Sequence, residues 1–228
     1  VYPASGNRGN RPEQEVEYLQ TLLDETGAKA IKFRLGGRMS NNRDSRPGRT
    51  ESLIPLVRKA FGDDMTLYAD SNSSYDVTNA IRVGRLMEDN GYSFFEEPCR
   101  FDHLWETTQV ADRLAIPVAG GEQEFSMRRF QWAIENRGLD IAQPDLQYFG
   151  GFIRCTRVAR MAALADMPCT VHMSGSGLGY LYVAHYASYI PNAGAHQEFK
   201  GTSNIPVECP TSDLKCHDGI IKVPTGPG

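Results

Sequence analysis

The sequence lacks any long uninterrupted apolar run. A membrane-spanning helix needs about 20 mostly apolar residues, and no stretch of the 228 residues approaches that. An excess of basic residues is also missing, because 24 lysines and arginines stand against 28 acidic residues, a formal net charge of −4. This balance excludes a broad basic surface for nucleic acid. We therefore expect neither a membrane nor a nucleic acid as a partner.

Cysteine is sparse and shows no metal-binding or disulfide pattern. The five cysteines are scattered, odd in number and without CxxC spacing: Cys99, Cys155, Cys169, Cys209 and Cys216. Disulfide frameworks and zinc sites use cysteines in even sets or closely spaced pairs. We therefore expect free thiols in a cytoplasmic protein.

A GxGxxG motif between a strand and a helix is also absent, which disfavours a dinucleotide-binding sheet. Instead, short apolar runs alternate with longer amphipathic segments. The predicted strands are residues 1–4, 30–35, 66–69, 93–95, 118–119, 141–142, 170–172 and 195–199. The predicted helices are residues 13–26, 77–90, 104–114, 126–137, 151–165 and 178–189. This alternation predicts an α/β fold, a TIM-type barrel that forms one domain over residues 1–228.

One polar segment, residues 36–49, interrupts the alternation. It reads GGRMSNNRDSRPGR and is too polar to pack in a core. One interpretation is a solvated surface excursion. The other is a mobile flap that helps to hold an anionic substrate, because loops after barrel strands lie on the catalytic face. The sequence leaves both open.

Three acidic residues follow apolar strands at one interval. Asp70, Glu96 and Glu122 stand at the ends of successive strands, with a spacing of 26 residues in each case. In a barrel this spacing places three carboxylates side by side at the carboxyl ends of neighbouring strands. Converging carboxylates repel one another unless a cation lies between them. Oxygen ligands favour Mg²⁺ over zinc, so the pattern predicts a magnesium site.

The series continues with an acid–base pair and two cations. Asp145 and His172 end the next two strands, 27 residues apart, and a neighbouring aspartate can orient an imidazole and raise its basicity. On the second strand, alternation places Lys32 and Arg34 on one face, where they can bind a substrate carboxylate and its developing enolate. Glu198, on the last strand, adds a carboxylate to this rim.

Together these motifs resemble the mandelate racemase branch of the enolase superfamily. The likeness covers nearly the whole chain and rests on Lys32-Phe33-Arg34, Asp70-Ser71-Asn72, Glu96-Glu97-Pro98, Gly121-Glu122, Pro144-Asp145, Val171-His172-Met173 and the closing VPTGPG. It implies a (β/α)₇β barrel in which the three acids bind Mg²⁺. It also implies an N-terminal α+β capping domain in the full protein, absent from this chain, a tail at residues 201–228 that returns toward that cap, and assembly into homo-oligomers.

The resemblance also implies roles for the other polar residues. His172 and Asp145 match the family's general acid–base dyad. Glu198 matches a position that hydrogen-bonds the substrate carboxylate or enolate, and Asn72 is expected to bind substrate as well.

The second strand departs from the family pattern. Lys32 matches the first lysine of a Lys-x-Lys motif and is expected to bind substrate. Arg34 stands where the second lysine, often the opposing base, is found. Because arginine stays protonated, it is a poor base, and this favours a reaction with one base.

The shared reaction of the family is removal of the proton alpha to a carboxylate, with Mg²⁺ stabilising the enediolate. With one base, we predict dehydration of a small carboxylate sugar, an aldonate or aldarate, to a 2-keto-3-deoxy acid. Epimerisation, racemisation or cycloisomerisation by the same site stays open. A non-catalytic barrel and a different metal-dependent barrel, such as a sugar isomerase, are further alternatives.

Overall fold

The computed structural model describes residues 1–174, 178–200 and 209–226. The strands are β1 (Tyr2–Pro3), β2 (Ala30–Arg34), β3 (Thr66–Asp70), β4 (Phe94–Glu96), β5 (Val118–Gly120), β6 (Ile141–Ala142) and β7 (Glu198–Phe199). The helices are α1 (Pro12–Thr26), α2 (Arg49–Phe61), α3 (Val77–Asp89), α4 (Leu104–Ala111), α5 (Met127–Glu135), α6 (Phe152–Leu164) and α7 (Leu178–Tyr189). A hairpin of β8 (Cys216–His217) and β9 (Ile220–Ile221) follows. None of the described helices is both long and apolar enough to cross a membrane.

The parallel strands close into a ring. β2 to β6 pair in chain order, and β1 pairs with β7. Single bridges complete the circle, because Ala4 pairs with Lys32 of β2, and Cys169 pairs with both Ala142 of β6 and Ala193. A helix follows each of the first six strands, and α7 follows the segment that begins at Cys169. The predicted (β/α)₇β barrel is confirmed.

Successive side chains of β2 point alternately outward, to the helices, and inward, to the barrel interior. Ile31, Phe33 and Leu35 are fully buried in the apolar layer between sheet and helices. Lys32 and Arg34 point the opposite way, into the barrel. Strand geometry alone therefore brings two cations to the inside.

An aromatic layer fills the lower part of the barrel interior. It consists of Tyr2, Ala30, Tyr68, Phe94 and Ala119. The rings of Tyr68 and Phe94 stack with centroids 3.9 Å apart, and Tyr2 meets Tyr68 edge to face at 5.1 Å. The next inward positions on β3 and β4 are Asp70 and Glu96, which lie opposite each other in the strand register. The polar site thus lies directly above an apolar floor.

Helix α2 is missing from the sequence predictions. Pro55 lies within it, and a proline inside a helical segment removes a hydrogen bond and disfavours the helix. Leu53, Ile54 and Val57 are nevertheless fully buried on one face of α2. Packing of this apolar face outweighs the local cost of the proline.

The expectation that residues 36–49 are too polar to pack is wrong at Arg49. This residue begins α2 and is only 2% exposed. Its Nε donates to the Asn10 carbonyl at 2.8 Å and its Nη1 donates to the Arg34 carbonyl at 2.9 Å. These carbonyls satisfy two of the three guanidinium nitrogens, and Nη2 lies 3.8 Å from a carboxylate oxygen of Glu15. This polar environment lets an arginine occupy an interior position. The flap interpretation of the rest of the segment stays a prediction.

The predicted strand at residues 170–172 forms isolated bridges instead of a ladder. Cys169 pairs with Ala142, and His172 pairs with Asp145. The Thr170 N–H donates to the Ala142 carbonyl at 3.0 Å. The next donor of a parallel ladder would be residue 144, but this residue is a proline and has no N–H.

The predicted tail lies partly outside the described residues, at 201–208 and 227–228. The described part contains the β8–β9 hairpin. Its Gly219 carbonyl accepts from the backbone nitrogen of Val1 at 2.6 Å, and the Gly219 N–H donates to the Thr26 carbonyl at 2.8 Å. The hairpin therefore contacts the start of β1 and the end of α1. Return of the tail toward a capping domain stays a prediction.

Replacing Leu53 by alanine tests the packing of α2. Truncation of a fully buried leucine lowers the free energy of unfolding by about 2–5 kcal/mol, through lost contacts and a residual cavity. Ser52→Ala, at the exposed neighbouring position, is the matched control and should change stability by less than about 0.5 kcal/mol. Urea denaturation followed by circular dichroism measures both. Equal stability of the two variants would contradict the described burial of α2.

Candidate metal centre and acid–base site

Three carboxylates meet at the carboxyl ends of the barrel strands. Asp70 ends β3, Glu96 ends β4 and Glu122 follows β5. One oxygen from each lies within 4.8 Å of the others, and all three residues are buried. Buried carboxylates this close carry a large electrostatic cost unless a cation compensates them. Their geometry suits a divalent cation with oxygen ligands.

Asn72 orients two of these carboxylates. Its backbone N–H and side-chain amide donate to the two oxygens of Asp70 at 2.6 and 2.9 Å. The same amide donates to Oε1 of Glu122 at 3.2 Å. The backbone φ of Asn72 is 41°, in a left-handed region that asparagine tolerates better than most residues. Asn72 thus links Asp70 to Glu122.

Glycine at position 121 lets the chain reach Glu122. Its φ is 109°, and an added Cβ would lie 2.7 Å from the ring of Phe130. A side chain at this position would therefore be strained and would also collide with the packed ring. Steric constraints therefore explain why glycine precedes Glu122 in this sequence.

Two of the three carboxylates, those of Glu96 and Glu122, are only partly satisfied by the described residues. Oε2 of Glu96 accepts from Lys32 Nζ at 2.6 Å and from Gln143 Nε2 at 3.0 Å. Oε1 of Glu96 and Oε2 of Glu122 are buried and accept no hydrogen bond from the described residues. Such orphaned carboxylate oxygens at the centre of an acidic group fit a metal ion as the missing partner.

Burial and neighbouring charge act differently on these acids. Burial disfavours ionisation of Glu96, but the Lys32 ammonium and the Arg34 guanidinium together outweigh it and hold the pKa of Glu96 below its ordinary value. For Glu122, burial dominates and raises the pKa. Glu122 is therefore the member of the group that most lacks a compensating cation.

His172 is held in place by Asp145. Its Nδ1 lies 2.6 Å from Oδ2 of Asp145, which also accepts a hydrogen bond from Ser174. The other oxygen of Asp145 accepts the backbone N–H groups of Gln147 and Tyr148 at 2.7 and 2.9 Å. This arrangement favours a proton on Nδ1 and leaves the Nε2 lone pair available.

The Nε2 atom of His172 faces the acidic group. It lies 3.0 Å from Oε2 of Glu122 and 3.8 Å from Oε2 of Glu198. Burial alone lowers the pKa of His172, but Glu198, Asp145 and Glu122 together raise it above its ordinary value. An imidazole with raised basicity beside the carboxylates can accept a proton there.

Lys32 joins the acidic group to the last strand. Its Nζ lies 2.6 Å from Glu96 and 3.1 Å from Glu198, and 5.2 Å from the centre of the Tyr2 ring. Burial lowers the pKa of Lys32, but the two carboxylates outweigh burial and raise it. Glu198 is fixed in turn by the Met173 N–H, which donates to its Oε2 at 2.8 Å. The interior therefore holds a charged ammonium.

Arg34 pairs with Asp70. The two residues lie opposite each other in the strand register, and Nη1 of Arg34 contacts Oδ2 of Asp70 in a buried ion pair. The guanidinium thus neutralises one carboxylate of the acidic group. It occupies the position that the sequence assigns to it on the inner face of β2.

Sequence reasoning missed Gln143 and Lys200. Gln143 holds Glu96, and Lys200 Nζ lies 3.5 Å from both Nε2 of His172 and Oε2 of Glu198. The sequence contained a spacing that could have identified both residues. Gln143 and Lys200 stand two residues from Asp145 and Glu198, so strand alternation would place them near the same face.

Arg8 gave no comparable signal in the sequence, whereas Glu97 belongs to a motif that the sequence already showed. Arg8, in the loop after β1, donates from Nη2 to Oδ1 of Asn72. Glu97 is buried, which raises its pKa, and accepts from Gln123 Nε2 at 3.1 Å. Glu97 lies outside the group formed by Asp70, Glu96 and Glu122. The assignment of Glu96 as the metal ligand stays a prediction.

Comparison with known proteins links this geometry to a family. The family model described as "Enolase C-terminal domain-like" matches residues 14–228. Arabinonate dehydratase from Saccharolobus solfataricus is 26% identical over 220 residues, which cover 94% of this chain and 57% of that protein. The relative is thus a dehydratase by name, although the identity is low.

Solved structures agree. A protein from Roseobacter denitrificans, named provisionally as a racemase, matches with a TM-score of 0.91 at 40% identity. The match covers 100% of this chain and 63% of the Roseobacter chain. A mandelate racemase/muconate lactonizing protein from Paracoccus denitrificans, complexed with magnesium, matches with a TM-score of 0.83 at 27% identity, over 96% of this chain and 59% of its own. This chain therefore spans less than two thirds of the length of each of these proteins. It belongs to the Enolase C-terminal domain-like family of the enolase superfamily.

Proposed function

We propose that this barrel is the catalytic domain of a Mg²⁺-dependent acid-sugar dehydratase, a hydro-lyase. The observation that carries the proposal is the position of His172, whose Nε2 lies 3.0 Å from a carboxylate of the three-acid group while Asp145 holds its Nδ1. A base beside a metal site is what removal of a proton alpha to a carboxylate requires. The name of the arabinonate dehydratase relative supports the same reaction class.

Asp70, Glu96 and Glu122 would hold the Mg²⁺. The mutual distances of the three acids and the buried oxygens of Glu96 and Glu122 that accept no hydrogen bond support that role. A bound Mg²⁺ supplies positive charge that polarises the substrate carboxylate and makes its alpha proton more acidic. Asn72 fixes two of the three ligands and lies where it can also hydrogen-bond the substrate.

His172 would carry both proton steps. Its Nε2 takes the alpha proton, and Asp145 stabilises the imidazolium that forms. The same imidazolium then returns a proton to the beta hydroxyl, which leaves as water while the electron pair forms the double bond. The resulting enol becomes a 2-keto-3-deoxy acid.

Lys32 and Glu198 would bind the reacting end of the substrate. The Lys32 ammonium is buried and charged, so it can stabilise negative charge on the substrate carboxylate in a region without bulk water. Glu198 keeps Lys32 in position and can accept a hydrogen bond from the substrate.

Arg34 favours dehydration over a reaction with two bases. Epimerisation needs a base on each face of the alpha carbon, and a guanidinium paired with Asp70 is a poor base. Proton NMR in D₂O separates the outcomes, because epimerisation exchanges the alpha proton and retains the hydroxyl. Cycloisomerisation likewise gives no 2-keto-3-deoxy acid.

We further propose that the full protein carries an N-terminal α+β capping domain and forms homo-oligomers. The lengths of the relatives support the additional domain, because this chain spans only 57% of arabinonate dehydratase. The homo-oligomer is what the family resemblance implies. A cap over the carboxyl ends of the strands would exclude water from the site. Activity should therefore be measured on the full-length protein.

The Glu122→Gln substitution tests the metal assignment. It removes one charged ligand without changing size, so we expect the affinity for Mg²⁺ to fall at least about tenfold, or about 1.4 kcal/mol. The control is Glu17→Gln, an exposed acid on α1, which should bind Mg²⁺ like the unchanged protein. Isothermal titration calorimetry gives both affinities. Identical Mg²⁺ binding by the two variants would exclude Glu122 as a ligand.

The His172→Asn substitution tests the base. With Mg²⁺ and a library of acid sugars, we expect it to lower the rate of 2-keto acid formation by about 10²–10⁴-fold, and to abolish alpha-proton exchange in D₂O. The control is His217→Asn, because His217 also pairs with an aspartate, Asp213 at 2.6 Å, but is exposed and far along the chain from the site. We expect this control to retain full activity.

Two results would overturn the dehydratase assignment. One is an epimerised substrate without keto acid. The other is Mg²⁺ binding without any exchange or turnover across the library, which would indicate a non-catalytic barrel.

A further inference from the structure

Four arginines lie close enough to interact electrostatically at one corner of the site, where Arg8 contacts Asn72 and Arg34 contacts Asp70. Arg8 comes from the loop after β1, Arg34 from β2, Arg38 from the loop after β2 and Arg49 from the start of α2. Burial and the charges of the other three arginines lower the pKa of Arg8 to about 10, against a weaker opposing effect of Glu122. Like charges gathered in this way repel one another unless anions lie between them.

The described residues supply anions for only two of these arginines. Arg34 pairs with Asp70, and Arg49 lies 3.8 Å from Glu15. Within the described part of the chain, no carboxylate oxygen lies within 4.0 Å of Arg8 or Arg38. The one side-chain partner of Arg8 there is the neutral amide oxygen of Asn72, and its Nε is buried without an acceptor.

The loop that carries Arg8 is held at both ends. Oγ of Ser5 donates to one oxygen of the buried Glu15 at 2.5 Å, and Nδ2 of Asn10 donates to the other at 3.0 Å. Arg46 adds a bond from Nε to the Gly9 carbonyl at 2.7 Å. Because the loop is fixed before any ligand binds, little conformational entropy is lost when Arg8 makes a new contact.

Arg8 is also adjacent to the candidate metal ligands. Asn72 accepts from Arg8 and donates to both Asp70 and Glu122. One amide side chain therefore separates the guanidinium from two carboxylates of the three-acid group. A small anion that reaches the metal position lies within reach of Arg8.

We propose that Arg8 is a substrate-binding residue that holds a carboxylate of the substrate, with Arg38 adding positive charge to the same corner. A guanidinium offers two parallel N–H groups that match a carboxylate, and the free Nε of Arg8 is such a group. The substrate class, a sugar acid, rests on the function proposed above. The carboxylate is either the one that reacts or a second one, and the second case selects aldarates over aldonates.

Binding of two small 2-hydroxy acids tests this proposal. Lactate carries one carboxylate and tartronate carries two. We would titrate each into the full-length protein with saturating Mg²⁺ and compare Arg8→Gln, Arg8→Lys and the control Arg160→Gln, which removes an exposed arginine on α6. Melting temperature and Mg²⁺ affinity, measured in parallel, report whether each variant retains the fold and the metal site.

The outcomes separate the two carboxylates. If Arg8 holds the reacting carboxylate, Arg8→Gln lowers the affinity for both lactate and tartronate at least about tenfold. If Arg8 holds a second carboxylate, the substitution lowers the affinity for tartronate alone. Arg8→Lys should recover part of the lost affinity, because it restores the charge without the paired N–H groups. Arg160→Gln should change neither affinity.

The proposal is overturned if Arg8→Gln retains Mg²⁺ binding and binds both acids as tightly as the unchanged protein. It is also overturned if the unchanged protein binds neither acid. Failure of the proposed function gives a different result, since then the acids bind in an Arg8-dependent way while no acid sugar is turned over.

Discussion

Compensation of buried negative charge is the constraint on which the site depends. An ionised carboxylate without a partner is expensive to bury, and removing one partner of a buried pair costs about 3–5 kcal/mol. Asp70 is paired with Arg34 and Glu96 with Lys32, whereas Glu122 has only the titratable imidazole of His172 beside it among the described residues. The three-acid group is therefore compensated on its outer sides and left incomplete at its centre. An ordinary ion-pair network would not leave this asymmetry, and it therefore supports the proposed metal site.

The barrel provides this arrangement through strand register. Parallel pairing aligns the ends of β2, β3 and β4, so that Arg34, Asp70 and Glu96 form one row. Regular apolar runs of constant spacing make such a row predictable from sequence, and the barrel and the convergence of the acids followed from it. The Asp145–His172 contact was foreseeable for the same reason. The roles of these residues in binding and catalysis remain proposals.

Other features depend on contacts that no local pattern records. The burial of Arg49 requires the carbonyls of Asn10 and Arg34, which come from two other segments. The short distance from His172 to Glu122 depends on closure of the ring, since their strands are not neighbours. Arg8 lies in a loop without periodicity, so its contact with Asn72 could not be read from spacing.

The aromatic layer of Tyr2, Tyr68 and Phe94 has a consequence for the proposed reaction. These packed side chains fill the barrel interior below the three carboxylates. If the site acts as proposed, substrate and product would therefore use the same entrance, at the carboxyl ends of the strands. A slowly released product would then occupy the site against the next substrate molecule, so product release could limit the rate.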